Sequence, residues 1–409
     1  MAADQDIDGR PAWARLAVCL VIATIGNVGM WAIVVIMPAV ETEFAADRAG
    51  ASLPYTLTML GYALGNVAIG GAVDRFGLRP VLRLSAGVIA AGFALAALAP
   101  SLAVLSAVQF LIGLGAAAAF GPLIADISHW FRRRRGIAVA IAASGNYLSG
   151  ALWPLAIAPF SAAYDWRAAY LALAVIVLAT VIPLTLAMGN APPRQSGPAI
   201  GPAAVAGGGR GVILLLCLAG VGCCVAMSMP QVHIVAFCVD LGYGPAVGSQ
   251  MLSLMLMGGV VSRLIFGLIG DRLGGVRTVL IGSGLQCMAL FLYLPFDGIV
   301  SLYLVSLVFG LSQGGIVPSY ALIVREYLPA AQAGAKVGQV MMSTILGMAL
   351  GGWLSGAIHD WTGSYTAAFL NGIGWNLLNI AILLTLLVRA RGGSWPGSIR
   401  DTGIRCPSL

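Results

Sequence analysis

Apolar residues fall in long blocks along the chain, each ended by charged residues or by Pro and Gly. They lie near 14–39, 51–73, 80–99, 102–127, 136–159 and 167–188. A second set lies near 211–238, 246–270, 277–295, 300–323, 334–358 and 365–388. A membrane-crossing helix needs about 20 apolar residues, so the pattern predicts six spans and then six more. Between the sets, Gly189 to Gly211 contains Ala191-Pro-Pro-Arg-Gln-Ser-Gly-Pro and reads as a flexible linker. The expected organisation is an N-terminal six-helix half over 1–189, a cytoplasmic linker over 190–211, a C-terminal half over 212–390 and a cytoplasmic tail over 391–409. The first block, Trp13 to Val40, is longer than a signal-peptide core of about 7–15 residues. It follows the acidic Asp4, Asp6 and Asp8, so it reads as a helix that stays.

Composition agrees with the pattern. Hydrophobic residues make up 59% of the 409 residues and charged residues 9%, against roughly 25% charged in soluble domains. Such a chain could not cover its own surface with polar groups. The expected fold class is therefore an all-α integral membrane protein of twelve transmembrane helices in two pseudo-symmetric bundles. Of the 22 Lys and Arg residues, Arg48 and Arg167 map to one side, Arg263 lies inside a span, and the rest map to the other side. The positive-inside rule makes that other side cytoplasmic, with both termini there. The net charge of +7 then reflects topology, and no nucleic-acid partner is expected. The seven cysteines show no metal-ligand spacing and six lie in apolar runs, so neither disulfides nor a structural metal is expected; no Walker A or His-Glu-x-x-His motif occurs, and no cofactor is expected. Cys406-Pro-Ser-Leu409 has the outline of a prenylation box, but its first aliphatic position is Pro, and it reads as coincidence.

The two halves repeat. Gly70-Gly-Ala-Val-Asp74-Arg75-Phe-Gly77-Leu-Arg79 follows span 2, and Gly267-Leu-Ile-Gly-Asp271-Arg272-Leu-Gly274-Gly-Val-Arg277 follows span 8. Asp165-Trp166-Arg-Ala-Ala-Tyr170 is matched by Asp360-Trp361-Thr-Gly-Ser-Tyr365. Parallel repeats about an axis along the membrane normal fit this arrangement. The Gly-x-x-x-Asp-Arg-x-Gly-x-Arg pattern resembles the loop 2–3 signature of the major facilitator superfamily. The resemblance implies alternating access, with Asp74, Arg75, Arg79, Asp271, Arg272 and Arg277 as a latch that biases conformations without touching substrate. A topology anchor is the simpler alternative for these residues. His129-Trp130-Phe131-Arg132-Arg-Arg-Arg135-Gly136, continuing to Asp165-Trp166-Arg167, resembles the monocarboxylate porter family in its bacterial branch. Two departures stand out. Gln109 occupies the place where drug/proton antiporters carry Arg, and the porter family's Asp in span 8 is Gly259 here.

Arg263, in Gly258-Gly-Val-Val-Ser262-Arg263, is the sharpest single signal. A charge at mid-helix costs at least about 2.5–3.5 kcal/mol on insertion scales and generally faces a polar cavity. A guanidinium fits a carboxylate through two parallel hydrogen bonds, whereas snorkelling to the headgroups is the alternative. The resemblance places Arg263 at the substrate position of span 8. His233, after Pro230 in span 7, is either bonded to a neighbouring helix or set to meet substrate or a proton; the Pro is expected to bend the helix near a cavity. By the spans that line family cavities, Asn27, Phe120, Asn146, Tyr147 and Tyr320 join the candidate substrate site. Other intramembrane polar residues, including Tyr55, Tyr62 and Asn66, read as helix–helix glue. Asp126 is expected to pair with the Arg132–Arg135 cluster.

The function these features imply is secondary transport, without enzymatic activity, of small organic monoanions such as lactate or pyruvate. It is expected to be proton-linked, with His233 titrating, in a monomer of the plasma (inner) membrane. One in-span cation argues for one carboxylate. An exchanger of dicarboxylates or other organic anions is the alternative within the class, and a membrane sensor without transport the alternative outside it.

Overall fold

The computed structural model describes residues 7–189, 209–328 and 330–391. Most of the expected linker and tail, including Cys406, lies outside them. The first half holds α1 (Arg10–Gly26), α2 (Val28–Glu43), α3 (Arg48–Phe76), α4 (Leu78–Ala97), α5 (Leu102–Ala116), α6 (Gly121–Trp130), α7 (Arg135–Ala143), α8 (Gly145–Ala163) and α9 (Trp166–Ala187). The second holds α10 (Gly209–Asp240), α11 (Pro245–Leu273), α12 (Gly275–Leu292), α13 (Ile299–Gln313), α14 (Ile316–Tyr327), α15 (Ala330–Thr362) and α16 (Tyr365–Arg391). No strand occurs among the described residues.

Eleven helical segments, counting α1–α2, α5–α6 and α13–α14 each as one, are long and apolar enough to cross a membrane. The block expected at 136–159 is not among them. It forms α7 and α8, separated at Ser144, and the polar run Ser144-Gly-Asn-Tyr147 dilutes its apolar content. α10 continues through Pro230.

Four of the expected spans are broken: at Asn27, at Ala117–Phe120, at Ser144 and at Gly314–Gly315. A break leaves carbonyls and N–H groups without intrahelical partners, which a membrane interior tolerates only where protein or a water-filled cavity satisfies them. Three of these breaks meet. Asn27 Nδ2 donates to the Ala119 carbonyl at 3.3 Å, and a Cβ on Gly145 would sit 2.4 Å from that of Ala23.

Within each half, helices approach closely at matched glycines. A Cβ on Gly113 would lie 1.9 Å from the Thr58 carbonyl, and one on Gly310 would lie 2.0 Å from the Met255 carbonyl. Small residues at such crossings let backbones pack without a hydrophobic driving force. The pairs α3–α5 and α11–α13 occupy corresponding places in the two repeats.

Candidate substrate cavity and its gates

A cavity of about 750 Å³ lies between the halves. Its lining reaches Val67 in α3 and Gln339 in α15, both exposed and both toward the face that carries the chain ends. Met30 and Trp31 of α2 and Tyr55 of α3 lie on its wall toward the opposite, far face.

Among the described residues, Arg263 is the one charged side chain on the cavity wall. It is 7% exposed, so its guanidinium needs partners. Its Nε donates to the Gly314 carbonyl at 3.1 Å, and its Nη1 donates to the Ala143 carbonyl. Both carbonyls lie at helix breaks, at the C-terminal ends of α13 and α7, where orphan acceptors and the negative end of the helix dipole favour a cation. The guanidinium also lies over the Tyr147 ring, 4.4 Å from its centroid. Ala143 and Tyr147 belong to the first half and Arg263 to the second, so this one side chain bridges the two.

Gly259 explains how Tyr147 gets there. A Cβ at Gly259 would sit 3.0 Å from Tyr147 Cδ1. The missing carboxylate of span 8 is thus also the space that the ring occupies. Beside it, Asn146 accepts from Trp31 Nε1 through its backbone oxygen at 3.1 Å and its Oδ1 at 3.2 Å.

Of the seven expected site residues, Arg263, Asn146, Tyr147 and Phe120 line this cavity. Asn27, His233 and Tyr320 do not. Asn27 is fully buried and ties the breaks of spans 1 and 4 together. The Tyr320 hydroxyl donates to Asn379 Oδ1 at 2.7 Å, and Asn379 Nδ2 donates to Ser283 Oγ at 2.8 Å, inside the second half. Gln109 is likewise internal, donating to the Tyr170 hydroxyl at 2.7 Å. The wall includes Trp31 and Gln231, which sequence reasoning did not select, and Tyr55, Tyr62 and Asn66, which it read as glue. Gln231 directly follows Pro230, a signal that pointed two residues too far along, to His233.

His233 belongs to the far face. Its Nε2 lies 2.7 Å from the Gly352 carbonyl and its Nδ1 3.1 Å from the Tyr365 hydroxyl. Tyr365 in turn stacks near His359, with centroids 4.4 Å apart, and lies under the Arg48 guanidinium at 5.7 Å. Arg48 is the hub of a seam between the halves. Its Nη2 donates to Asp240 Oδ1 at 2.7 Å across the seam, and its Nη1 makes a 3.0 Å ion contact with Glu41. Asp360 accepts the backbone N–H groups of Arg48 at 3.0 Å and Ala49 at 2.8 Å, capping the start of α3. His359 Nε2 lies 3.4 Å from Asp240 Oδ2. The far side is therefore closed, and the cavity opens toward the chain ends.

The repeat-related aspartates have diverged in task. Asp360 holds the seam, whereas Asp165 caps α9 and its neighbours Trp166 and Arg167 grip Glu43.

At the face of the chain ends, Asp126 pairs with Arg15, through contacts of 2.8 and 3.0 Å, and not with the arginine cluster expected from sequence. The cluster is occupied differently. Backbone N–H groups of Arg132 and Arg133 donate to Asp8 Oδ2 at 3.1 and 3.0 Å. These donors, Arg133 foremost, hold the Asp8 carboxyl below its ordinary range. Asp74 and Asp271 are exposed here, as are Arg75, Arg272 and Arg277. Arg79 donates to the Met188 carbonyl at 2.9 Å. The N–H of Gly275, at the start of α12, is held by Glu326, at 3.0 and 3.1 Å, and not by Asp271. Among the described residues no cluster of three or more His, Cys, Asp and Glu could hold a metal ion.

A cavity between two repeated bundles, closed at one face and open at the other, is the architecture of an alternating-access carrier. The family model of the Major Facilitator Superfamily matches residues 19–335 and 214–403. The chain belongs to that superfamily. Within it, the chain is similar to Monocarboxylate transporter 13 of Bos taurus, at 29% identity over 78% of this chain and 76% of the relative. It is also similar to Monocarboxylate transporter 11 of Homo sapiens, at 32% identity over 74% of this chain and 67% of the relative. Among solved structures, the nucleoside transporter NupG shares the superfamily fold with a TM-score of 0.72 at 14% identity, covering 91% of this chain and 99% of that one. As a facilitator-superfamily protein this chain is a multi-pass membrane transporter and not an enzyme. Eleven of its helical segments are long and apolar enough to cross a membrane, and the α7–α8 pair lies where the sequence predicts a twelfth span.

Proposed function

We propose that this transporter carries organic monoanions, monocarboxylates in the first place, by rocking its two halves about the cavity. The observation that carries the reading is Arg263, a guanidinium on the cavity wall held by the backbone carbonyls of Gly314 and Ala143 and by the Tyr147 side chain. A substrate carboxylate is a stronger acceptor than a carbonyl, since charge-assisted hydrogen bonds are roughly twice as strong as neutral ones. It would displace Ala143 from the guanidinium and so release one tie between the halves. Similarity to monocarboxylate transporters supports the same reading.

The orientation proposed from the distribution of Arg and Lys makes the open side cytoplasmic, with Asp74, Arg75, Arg79, Asp271, Arg272 and Arg277 near its mouth. These residues would latch that side when it closes.

Coupling has two forms. Proton-linked uptake requires a titrating group, and among the described residues neither a carboxylate nor a histidine lines the cavity. His233 would then act through Tyr365 and the far seam. That same absence favours exchange, in which substrate must return before the carrier reorients. Proteoliposomes loaded with purified protein test all of this. Arg263→Lys and Arg263→Ala should insert but lose most carboxylate counterflow, and wild-type kinetics in both would sink the site. Accumulation in empty vesicles under an inward proton gradient supports symport. Brisk flux only into preloaded vesicles supports exchange.

A further inference from the structure

The wall facing Arg263 has its own chemistry. Six of the 24 lining residues are methionine, whereas the whole chain has 14 in 409. Met30 and Met59 come from the first half, and Met227, Met341, Met342 and Met348 from the second. On α15 the lining positions Gly338, Met341, Ile345 and Met348 recur at three- and four-residue intervals and form one helix face. Methionine is unbranched and polarisable, and it repacks around irregular apolar shapes.

The polar side chains on the wall are largely engaged already. Asn66 Nδ2 donates to the Tyr62 carbonyl at 2.8 Å, Asn146 is held by Trp31, and Gln231 Nε2 donates to Gln313 Oε1 at 2.6 Å. The Tyr55 hydroxyl is buried at the wall without a hydrogen-bond partner among the described residues. Among the described residues no Asp or Glu lines the cavity, so none of them offers a counter-charge to an ammonium group. The volume of about 750 Å³ falls in the range of roughly 300–1,000 Å³ that holds ligands of drug size.

We propose that the cavity selects monocarboxylates with a bulky apolar body, aryl or long acyl acids with no amine, over short hydroxy and keto acids. Arg263 takes the carboxylate, and the methionine face of α15 sets the preference for bulk. The inference rests on the carboxylate reading of Arg263 and narrows it. A short hydroxy acid would leave most of the apolar wall in contact with water and would find few free polar partners for its hydroxyl. An amino acid would bring a buried ammonium with no counter-charge on the described wall, which disfavours its binding.

Competition against bound radiolabelled 4-phenylbutyrate on the purified protein in nanodiscs tests this. The competitors are lactate, acetate, butyrate, hexanoate, phenylacetate, phenylalanine and the neutral alcohol 4-phenylbutanol. Affinity should rise up to about fourfold per buried methylene along the acyl series, with lactate and phenylalanine weakest. Met342→Gln, close in volume but polar, and the pair Met341→Thr/Met342→Thr should flatten that rise. A flat series, or lactate bound as tightly as 4-phenylbutyrate, overturns the inference while carboxylate binding through Arg263 stands. If the alcohol competes as well as the acid, or if Arg263→Ala binds the acids normally, the carboxylate reading falls with it.

Discussion

Replacing Arg48 with Ala removes the hub of the far seam. The side chain is 7% exposed, but its partners Glu41 and Asp240 are 26% and 33% exposed, so solvent weakens both contacts. Fully exposed ion pairs contribute about 0.2–1 kcal/mol, and hydrogen bonds to charged groups about 1.5–3 kcal/mol. The Arg48–Asp240 bond, short and half-shielded, belongs between these at about 1–2 kcal/mol. The Glu41 contact lacks hydrogen-bond alignment and adds little across the seam, because Glu41 and Arg48 sit in the same half. Asp360 keeps its backbone donors in the variant. The change should therefore shift the balance away from the far-closed state by a factor of about 5–30. Spin labels at Tyr164 and Phe296, exposed on far-face loops of opposite halves, report the separation by pulsed electron resonance. The variant should show a longer-distance population, and the shift should shrink at high salt, where exposed charges are screened. An Arg48→Ala/Asp240→Ala cycle should give a coupling of about 1 kcal/mol. Unchanged distances, or a coupling below about 0.3 kcal/mol, would refute the seam as a gate.

Four further outcomes follow from contacts elsewhere. Asp126→Asn leaves Arg15 buried without its counter-charge, at a cost of about 3–5 kcal/mol; thermal unfolding in detergent should move down by several degrees, and an unchanged midpoint contradicts the pair's role. Gly259→Asp should push Tyr147 aside and neutralise Arg263, weakening carboxylate binding about tenfold or more, whereas tighter binding would show that the cavity tolerates the acid. His233→Ala should alter the distance populations of the far seam while substrate affinity stays within a few-fold, and a large loss of affinity would return His233 to the substrate site. Asp8 has a carboxyl pKa depressed by its backbone donors, so its contribution is present above the ordinary carboxylate range of about 4 and is lost as pH falls through the depressed value. Amide exchange at Arg132 and Arg133 should quicken in that acid range, and in Asp8→Asn at every pH.

The sequence alone was enough for the class of molecule. Apolar blocks of helix length, scarce charge and two copies of one loop signature are local or repetitive features, and they leave a membrane carrier of two related bundles as the reading that fits. Arg263 was also legible, because a charge inside an apolar block is costly wherever the helix packs. Which uncharged polar residues face the cavity was not. Asn27, His233 and Tyr320 share composition and setting with Asn146, Tyr147 and Trp31, and only the rotation of each helix against its neighbours separates them. The interruption at Ser144 was likewise decided by packing. The seam was least legible of all. Arg48 meets Asp240 and Asp360 across 192 and 312 residues of chain, and no pattern along the sequence marks a pair at those separations. Asp126 shows the same limit. The nearby arginines offered a partner by proximity in sequence, but the fold brought Arg15 from 111 residues away into a buried position beside it. In low dielectric a charge takes the partner that packing delivers with good geometry, and only the tertiary structure determines which one arrives.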